Sequence, residues 1–576
     1  MRTSNGCWTC RLRRKKCDEY RPICHACAAL DITCHFDQDN KPDWMDSGVK
    51  QEEMAEKLKS EIKENARRRR GVRVYAPGQR KSASDASAEE RSIPLRDVSM
   101  DLDTPVCDVL QATSDIHSNG TEPSPDQTAS KPQRACSKIA FERSDTVLLA
   151  FYLENLLPFL FPFYRPSLLE GGRAWIFELM ISSPVVRQAT LCQSSYFFSL
   201  ARGTTNHEAV WNEVLSQTTD ALGVLRHALQ VIEGSGVGEH LHGAVRIMAS
   251  IMQMQRFEIA VLSFQNWQNH LNASLALFEQ LLHSIDDSED HMSLFEAIMS
   301  RLGPSSSSWS WFSRNGHIPS AEQAAFHFSS TLVIFDDIIA STALREQPKL
   351  LEYHQSLLGS SEDGNEPLVN LDAVVGLKSE ILLHIGAISA LEAWKQRCKA
   401  AGNLDVVELV HRATVIKESL LADLMWLETN PKTHSRGTAS FLDVFPPSPD
   451  HISLVSRVWA HAALMYLSIV VSGWQPASGD VRYHVSQIVD LLKLQASPAL
   501  LRTMVWPFCV AGCLAEPAQE ACFRRMVRVL QPASIFGTLH KALEIMENVW
   551  RVRDKDTPHR DLAMCFRLQE EVVLLV

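Results

Sequence analysis

The sequence predicts two architectures in one chain, a small two-zinc cluster module of two short helices and a large all-α domain. Three observations carry this. Six of the 14 cysteines crowd into residues 7–34 with a repeated spacing. From about residue 139 onward apolar residues recur at three and four, the period of a helix, and no alternation at two persists over several segments. Between the two lies a stretch rich in Ser, Asp, Thr, Pro and Ala, too poor in aromatics to offset its ordering entropy.

The expected organisation has four parts. Residues 1–36 form the cysteine module and 37–75 a charged, basic helical extension. Residues 76–138 form a disordered linker, and 139–576 the helical domain. The chain carries a net charge of −11, which conceals a split. Residues 1–75 hold 17 Lys/Arg against 12 Asp/Glu, a net of +5, so the remainder carries −16. A short basic head tethered to an acidic body suits a unit that meets nucleic acid through the head alone. Met1–Gly6 is polar and offers no secretory signal. The longest apolar runs, such as Ala462–Val471, fall short of the roughly 20 residues that span a bilayer. The expectation is an intracellular protein without membrane partners, where disulfides are disfavoured.

The cysteines are Cys7, Cys10, Cys17, Cys24, Cys27 and Cys34, spaced C-x2-C-x6-C-x6-C-x2-C-x6-C. The unit C-x2-C-x6-C is written twice. Thiolates suit zinc, and a structural zinc takes four ligands in a tetrahedron. Two such shells need eight sulfurs, so six suffice only if two are shared. The repeat picks out the first cysteine of each half, Cys7 and Cys24. One zinc then takes Cys7, Cys10, Cys17 and Cys24, and the other Cys7, Cys24, Cys27 and Cys34. Each half is expected to be a short helix with an extended return, and Pro22 stiffens the joint. So small a module has almost no core, and metal binding supplies its folding free energy. The alternatives are buried free thiols, which leave the doubled spacing unexplained, and a disulfide framework, which the reducing compartment disfavours.

Between Cys10 and Cys17 lie Arg11, Arg13, Arg14, Lys15 and Lys16, five cations in six residues. A charge run is usually a solvated face. Here it sits on a metal scaffold too small for much else, which points to double-stranded DNA. Arginine pairs bidentately with guanine O6 and N7, and the other cations neutralise phosphates.

The run Cys7-Trp-Thr-Cys10-Arg-Leu-Arg-Arg-Lys-Lys-Cys17-Asp18, then Pro22, Cys24-His-Ala-Cys27 and Cys34, resembles the fungal zinc binuclear cluster transcription factors without departure from their pattern. The resemblance implies a pseudo-twofold module with one face in the major groove, reading a CGG triplet at the end of its first helix. The matching positions are Arg13 and Arg14, with Lys16 just behind. It further implies a nuclear, RNA polymerase II type regulator holding two zinc ions per chain. Lys41-Pro-Asp-Trp44-Met45-Asp46, Leu157-Pro-Phe-Leu-Phe-Pro-Phe-Tyr164-Arg-Pro, Ser194-Ser-Tyr-Phe-Phe198 and Leu383-His-Ile-Gly386 with Leu391-Glu-Ala-Trp394-Lys395 are similar to a branch with an all-helical regulatory domain. That branch includes acriflavine-sensitivity and secondary-metabolite cluster regulators.

The remaining features are read more plainly. Arg67–Arg70 with Arg73 suits nuclear import or phosphate contact. Val49–Arg70 reads as a helix whose stripe Met54, Leu58, Ile62, Ala66 either pairs two chains into a homodimer or belongs to a lone helix. The body's expected helices include Val147–Leu157, Val185–Leu200, Glu208–Val231, Val245–Leu282, Glu322–Ala343, Leu377–Lys399, Leu454–Val471, Val481–Leu494 and Phe536–Val552, with loop expected from Lys399 onward and at the acidic clusters Asp286–Asp290 and Glu362–Glu366. Phe159–Tyr164 is expected in the core, as are Trp309 and Trp311. Cys509 and Cys513 are expected as buried thiols and His240 and His242 at the surface. No P-loop, G-x-G-x-x-G, G-x-S-x-G or H-E-x-x-H occurs, so no enzyme class is indicated. The body is instead expected to regulate the head and to contact transcription machinery.

Overall fold

The computed structural model describes residues 6–13, 15, 17, 24, 27, 30, 32–35, 42, 44–45, 48, 50–51 and 53–62 of the N-terminal part. From 143 to 576 it describes all but 169–170, 204–206, 285–290, 304–317, 360–366, 431–448, 494–497, 554–559 and 569–570. The expected linker 76–138, Arg14, Lys16, Pro22, Arg67–Arg70, Arg73, Trp309, Trp311 and both acidic clusters lie outside the described residues. The chain divides into two compact units, Met1–Ser130 and Lys131–Val576.

In the first unit a short helix, α1 (Trp8–Leu12), opens the cysteine module. Residues 53–62 are helical, as the four-residue stripe predicts. Leu58 is only 2% exposed, and Ile62 packs against the cysteine cluster. Two positions of the stripe, Leu58 and Ile62, are thus occupied within the chain.

The second unit is built almost wholly from helices. Its frame runs through α2 (Pro184–Ala201), α3 (Leu241–Ala260), α4 (Trp267–His283), α5 (Ala321–Leu344), α6 (Ser379–Ala400), α7 (Val406–Thr429), α8 (Pro449–Ser472) and α9 (Gly537–Arg551). Helix α5 lies at the centre, packed on α3 and α4 on one side and α6 on another, while α6, α7 and α8 pack on one another. Among the described residues the only strands are Arg567–Leu568 and Glu571–Val572, a two-stranded antiparallel pair with Arg567 opposite Val572.

Local signals account for several boundaries. Ser320 caps α5 by accepting from Gln323 N, and the Gln323 side chain accepts from Ser320 N in return. Ser183 caps α2, followed by Pro184 at its first turn. Three expectations need correction. Val245–Leu282 is two helices, because Leu262 takes a left-handed φ of 61° and the chain turns back into α4. The segment after Lys399 is no loop beyond residue 405. Asp405 accepts from Val407 N at 2.8 Å and Glu408 N at 3.1 Å, and α7 follows, burying Leu409, Ala413, Leu420, Leu424 and Leu427 as an amphipathic stripe. Val147–Leu157 is also broken, into Arg143–Phe151, a π-helical turn Tyr152–Leu156 and Leu157–Leu160.

Apolar run length is a poor guide to span length here. Ala321–Leu344 and Asp450–Ser472 are long and apolar enough to cross a membrane by length and composition, but 83% and 78% of their apolar windows are buried inside the protein. Helix α5 also carries two adjacent buried carboxylates. Asp336 pairs with Arg256 and accepts from Gln255 Nε2 at 3.1 Å. Asp337 accepts from Lys349 N and Leu350 N at 3.1 and 2.9 Å. Burial raises both to about 6. Such helices are the core of a protein, apolar on every face because every face is covered.

Candidate metal centre and nucleic-acid interface

The cysteine module is assembled by backbone polarity as much as by sulfur. Cys7 is the N-cap of α1, and its Sγ accepts from Cys10 N at 3.3 Å. The C-x2-C step therefore places both sulfurs at the start of one helical turn, the arrangement its spacing implies. Cys7 N in turn donates to Cys17 Sγ at 3.4 Å, which draws the third cysteine beneath the helix start. Gly6 makes that approach possible, since a Cβ on it would lie 2.8 Å from the Cys17 Cβ.

The second half repeats the turn at Cys24 and Cys27, with Cys27 N donating to Cys24 O at 3.0 Å and Ile32 N reaching back to Cys27 O. Residues 33–35 then run beside α1. Trp8 N donates to His35 O at 2.8 Å. Thr9, fully buried, donates its hydroxyl to Thr33 O at 2.9 Å and accepts from His35 N at 3.1 Å. This clasp sets the segment that carries Cys34 against the helix that carries Cys7 and Cys10. Ile32 is buried against the sulfurs, and Trp44 meets His35 edge-on with ring centres 5.4 Å apart.

The sulfurs form two sets of four, each with all ligand atoms within 4.8 Å of one another. One set is Cys7, Cys10, Cys17 and Cys24, and the other is Cys7, Cys24, Cys27 and Cys34. The members common to both are Cys7 and Cys24, the pair that the repeat picks out. Cys7 Sγ lies 3.8 Å from Cys24 Sγ and 3.9 Å from Cys27 Sγ, and Cys10 Sγ lies 3.6 Å from Cys24 Sγ. A zinc with bonds of about 2.3 Å in a tetrahedron sets its sulfurs about 3.8 Å apart. The donor set and its spacing therefore fit zinc.

The electrostatics also call for a cation. Burial raises the Cys10 thiol to about 11, with its sulfur neighbours acting in both directions, and burial raises Cys7 and Cys27 further. Burial raises Cys24 as well, but hydrogen bonds from Cys27, Cys10 and Cys17 outweigh it and bring Cys24 down to about 7. Several thiolates cannot coexist at this distance without positive charge between them, and a bound metal supplies it.

Of the expected DNA-contacting cations, Arg11, Arg13 and Lys15 are described. Arg11 is exposed, donates from Nε to Gly6 O at 2.9 Å, and lies 4.6 Å over the Trp8 ring. It therefore braces the segment before Cys7 as well as presenting charge. Arg13, at the C-cap of α1, is half-buried, and its Nη1 is buried without a partner. Lys15 is exposed, with its N–H bonded to Cys10 O. Sequence reasoning missed the roles of Gly6, Thr9 and Ile62 in holding the cluster. The glycine directly before the first cysteine was a usable signal, whereas the clasp at Thr9 joins residues 24 and 26 apart and leaves no local pattern.

In the body, Cys509 and Cys513 are buried in an apolar helix as the sequence suggests, whereas of the run Phe159–Tyr164 only Phe163 is fully buried, with Phe159, Phe161 and Tyr164 partly buried against the core. His242 is half exposed, though its ring lies 3.8 Å from Glu322.

Comparison with known proteins agrees with both units. Residues 5–43 match the fungal Zn(2)-Cys(6) binuclear cluster domain, and residues 147–575 match the fungal specific transcription factor domain. The chain is 34% identical to the transcription factor dibT of Pestalotiopsis microspora over 99% of both chains. It is 26% identical to the pestheic acid cluster transcriptional regulator 3 of Pestalotiopsis fici, over 97% of this chain and 96% of that one. It is 27% identical to the ustiloxin B cluster transcription factor ustR of Aspergillus flavus at the same coverage. No solved structure matches the chain. A zinc-binding cysteine cluster that serves DNA binding, a matching helical body and relatives along its whole length place this chain in the family of fungal Zn(2)-Cys(6) transcription factors with a fungal-specific transcription factor domain.

Proposed function

We propose that this protein is a nuclear, sequence-specific regulator that holds two zinc ions and reads CGG-like half-sites in double-stranded DNA. The observation that carries it is the pair of four-sulfur sets sharing Cys7 and Cys24, mounted on a helix that runs directly into five cations. Arg13 and Arg14 are assigned to guanine, with Lys16 behind them. Arg11 and Lys15, both exposed, are assigned to phosphates. Arg67–Arg70 and Arg73 are assigned to nuclear import or to further phosphate contact. The boundaries 1–36, 37–75, 76–138 and 139–576 stand as part of the same proposal. The packing of Ile62 against the cysteines supports treating residues 53–62 as a support for the cluster.

The controlled genes are proposed to be a biosynthetic set for a secondary metabolite. Two of the three relatives named above are regulators of such clusters by their names, and the similarity extends over nearly the whole chain. The body is proposed to be a non-catalytic regulator that contacts the transcription machinery.

The test is comparative. Arg14→Ala should cost about 1–3 kcal/mol at a CGG-containing duplex and relax discrimination at that triplet. Lys15→Ala should weaken binding to all duplexes alike and flatten the salt dependence. Equal losses on specific and random DNA for both variants would refute the assignment of roles.

A further inference from the structure

Helix α7 packs on α6 and α8 through its inner stripe and leaves its outer face open. Six large apolar side chains are exposed on it: Val406, Val407, Val410, Val415, Met425 and Trp426. Val407 is 79% and Met425 64% exposed. Among the described residues no other helix exposes more than two such side chains. Scattered apolar residues are ordinary on a surface, but a concentration on one helix marks a place of contact.

The charges of α7 are engaged elsewhere. Glu408 and Arg412 pair at 2.6 Å along the helix, and Arg412 also lies 4.6 Å over the Trp394 ring of α6. Lys417 reaches Asp480 at 3.6 Å, Asp423 meets His384 at 2.7 Å, and Glu428 meets Arg457 at 3.6 Å. Among the described residues Glu418 is the one carboxylate, ammonium or guanidinium of α7 without an ion-pair partner. At 3.6 residues per turn the paired charges flank the outer face, whereas Val407, His411, Thr414, Glu418, Ala422 and Met425 share an arc of about 80°. Such a face offers a charged partner little to hold and suits a neutral one with an apolar surface.

The order of residues along the arc fits a second copy of itself. Val407 stands nine residues before Ile416 and Met425 nine after it, and Thr414 and Glu418 stand two before and two after. A copy laid antiparallel across Ile416 sets Val407 level with the partner's Met425 and Thr414 level with the partner's Glu418. The two Glu418 carboxylates are then staggered by about 6 Å along the axes, and each comes within one turn of the partner's His411. A parallel copy in register would instead set Glu418 against Glu418. The six apolar side chains leave about 600 Å² open per copy, so mutual cover removes on the order of 1,000 Å², the size of a weak and reversible interface.

We propose that the body pairs with a second copy of this chain through the outer face of α7, antiparallel about a two-fold axis near Ile416. This goes beyond the reading of the body as a regulator, since it names a partner and the surface that meets it. One such dimer carries two cysteine modules, although the test involves no DNA.

The experiment is sedimentation equilibrium of the zinc-loaded full chain between about 1 and 100 µM, where the expected result is a reversible monomer–dimer equilibrium. Val407→Glu places an acid in the first turn of α7 and Met425→Lys a base near its last, so both exposed changes suit the helix dipole and preserve the fold, which circular dichroism checks. Each variant alone should associate at least about tenfold more weakly than the parent, because its new charge faces an apolar side chain of the partner. An equimolar mixture of the two should associate at least about tenfold more tightly than either alone, because in an antiparallel heterodimer the two new charges are level and opposite in sign. A parent chain that stays monomeric throughout, as it would if another part of the same chain covered α7, would overturn the proposal. So would association unchanged in either variant, or a mixture no tighter than its components.

Discussion

Replacing Thr9 by Val keeps the shape of a fully buried side chain and removes one hydroxyl. That hydroxyl makes two hydrogen bonds, to Thr33 O at 2.9 Å and from His35 N at 3.1 Å. Thr33 is exposed, so water can take over part of its carbonyl, while His35 N–H sits against α1 and has less recourse. One bond lost outright and one lost in part amounts to about 2 kcal/mol. In a module whose folding is driven by metal, that loss appears as weaker zinc affinity, by a factor of about 30. The loss should fall on the set that contains Cys34, because the clasp positions residues 33–35. Competition with a chromophoric chelator measures the affinity, and cobalt substitution distinguishes the two sets. Thr9→Ser, which retains the hydroxyl, should recover most of the affinity. Zinc affinity for Thr9→Val within twofold of the parent would refute the reasoning.

Gly6→Ala should disturb the other set. Its Cβ would lie 2.8 Å from that of Cys17, so Cys17 must move, and the cobalt spectrum of the Cys7, Cys10, Cys17, Cys24 site should change while the second site is spared. Cys7→Ala or Cys24→Ala should lower the zinc count by more than Cys10→Ala or Cys27→Ala, since only the first two belong to both sets. Elemental analysis of the purified chain reads this, and equal losses would contradict sharing. Burial raises Glu322, but the nearby His242 ring and the hydrogen-bonded Arg246 guanidinium outweigh it and hold its carboxyl at about 2 against an ordinary 4.5. Because its folded pKa is depressed, the stabilisation is present above pH 4.5 and is lost as pH falls towards 2. The ceiling is about 3 kcal/mol, or about 2 once solvent screening of the partly exposed His242 and Arg246 is allowed for. Urea unfolding of the body between pH 6 and 3 should therefore show a shallower acid loss in Glu322→Gln, and identical slopes would exclude the effect.

The cysteine centre was legible in the sequence because its information is local and arithmetic. The spacing repeats, six sulfurs cannot fill two shells unshared, and the first cysteine of each half is the natural bridge. What the spacing could not reveal was how the centre is held. Gly6 matters through a contact with Cys17 eleven residues on, Thr9 through bonds to residues 33 and 35, and Ile62 through packing from a helix that reads equally well as a pairing surface.

The body shows the opposite balance. Its class was legible because a 3.6-residue period survives whatever the helices pack against. Its joints were not. Leu262 turns the chain between two amphipathic helices, and the apolar spacing alone reads as one helix until the left-handed φ is seen. A small cavity is lined by Arg256 near the end of α3, by Arg502, and by Gly537 and Thr538 at the start of α9. Each looks ordinary alone: an arginine near a helix end, an arginine beside a phenylalanine, a glycine before a helix. Their proximity emerges only when three segments separated by some 280 residues converge, with Asp336 from a fourth paired to Arg256. Metal-ligand chemistry in this chain is written in adjacent residues, whereas the charge pairing of the body is written in packing.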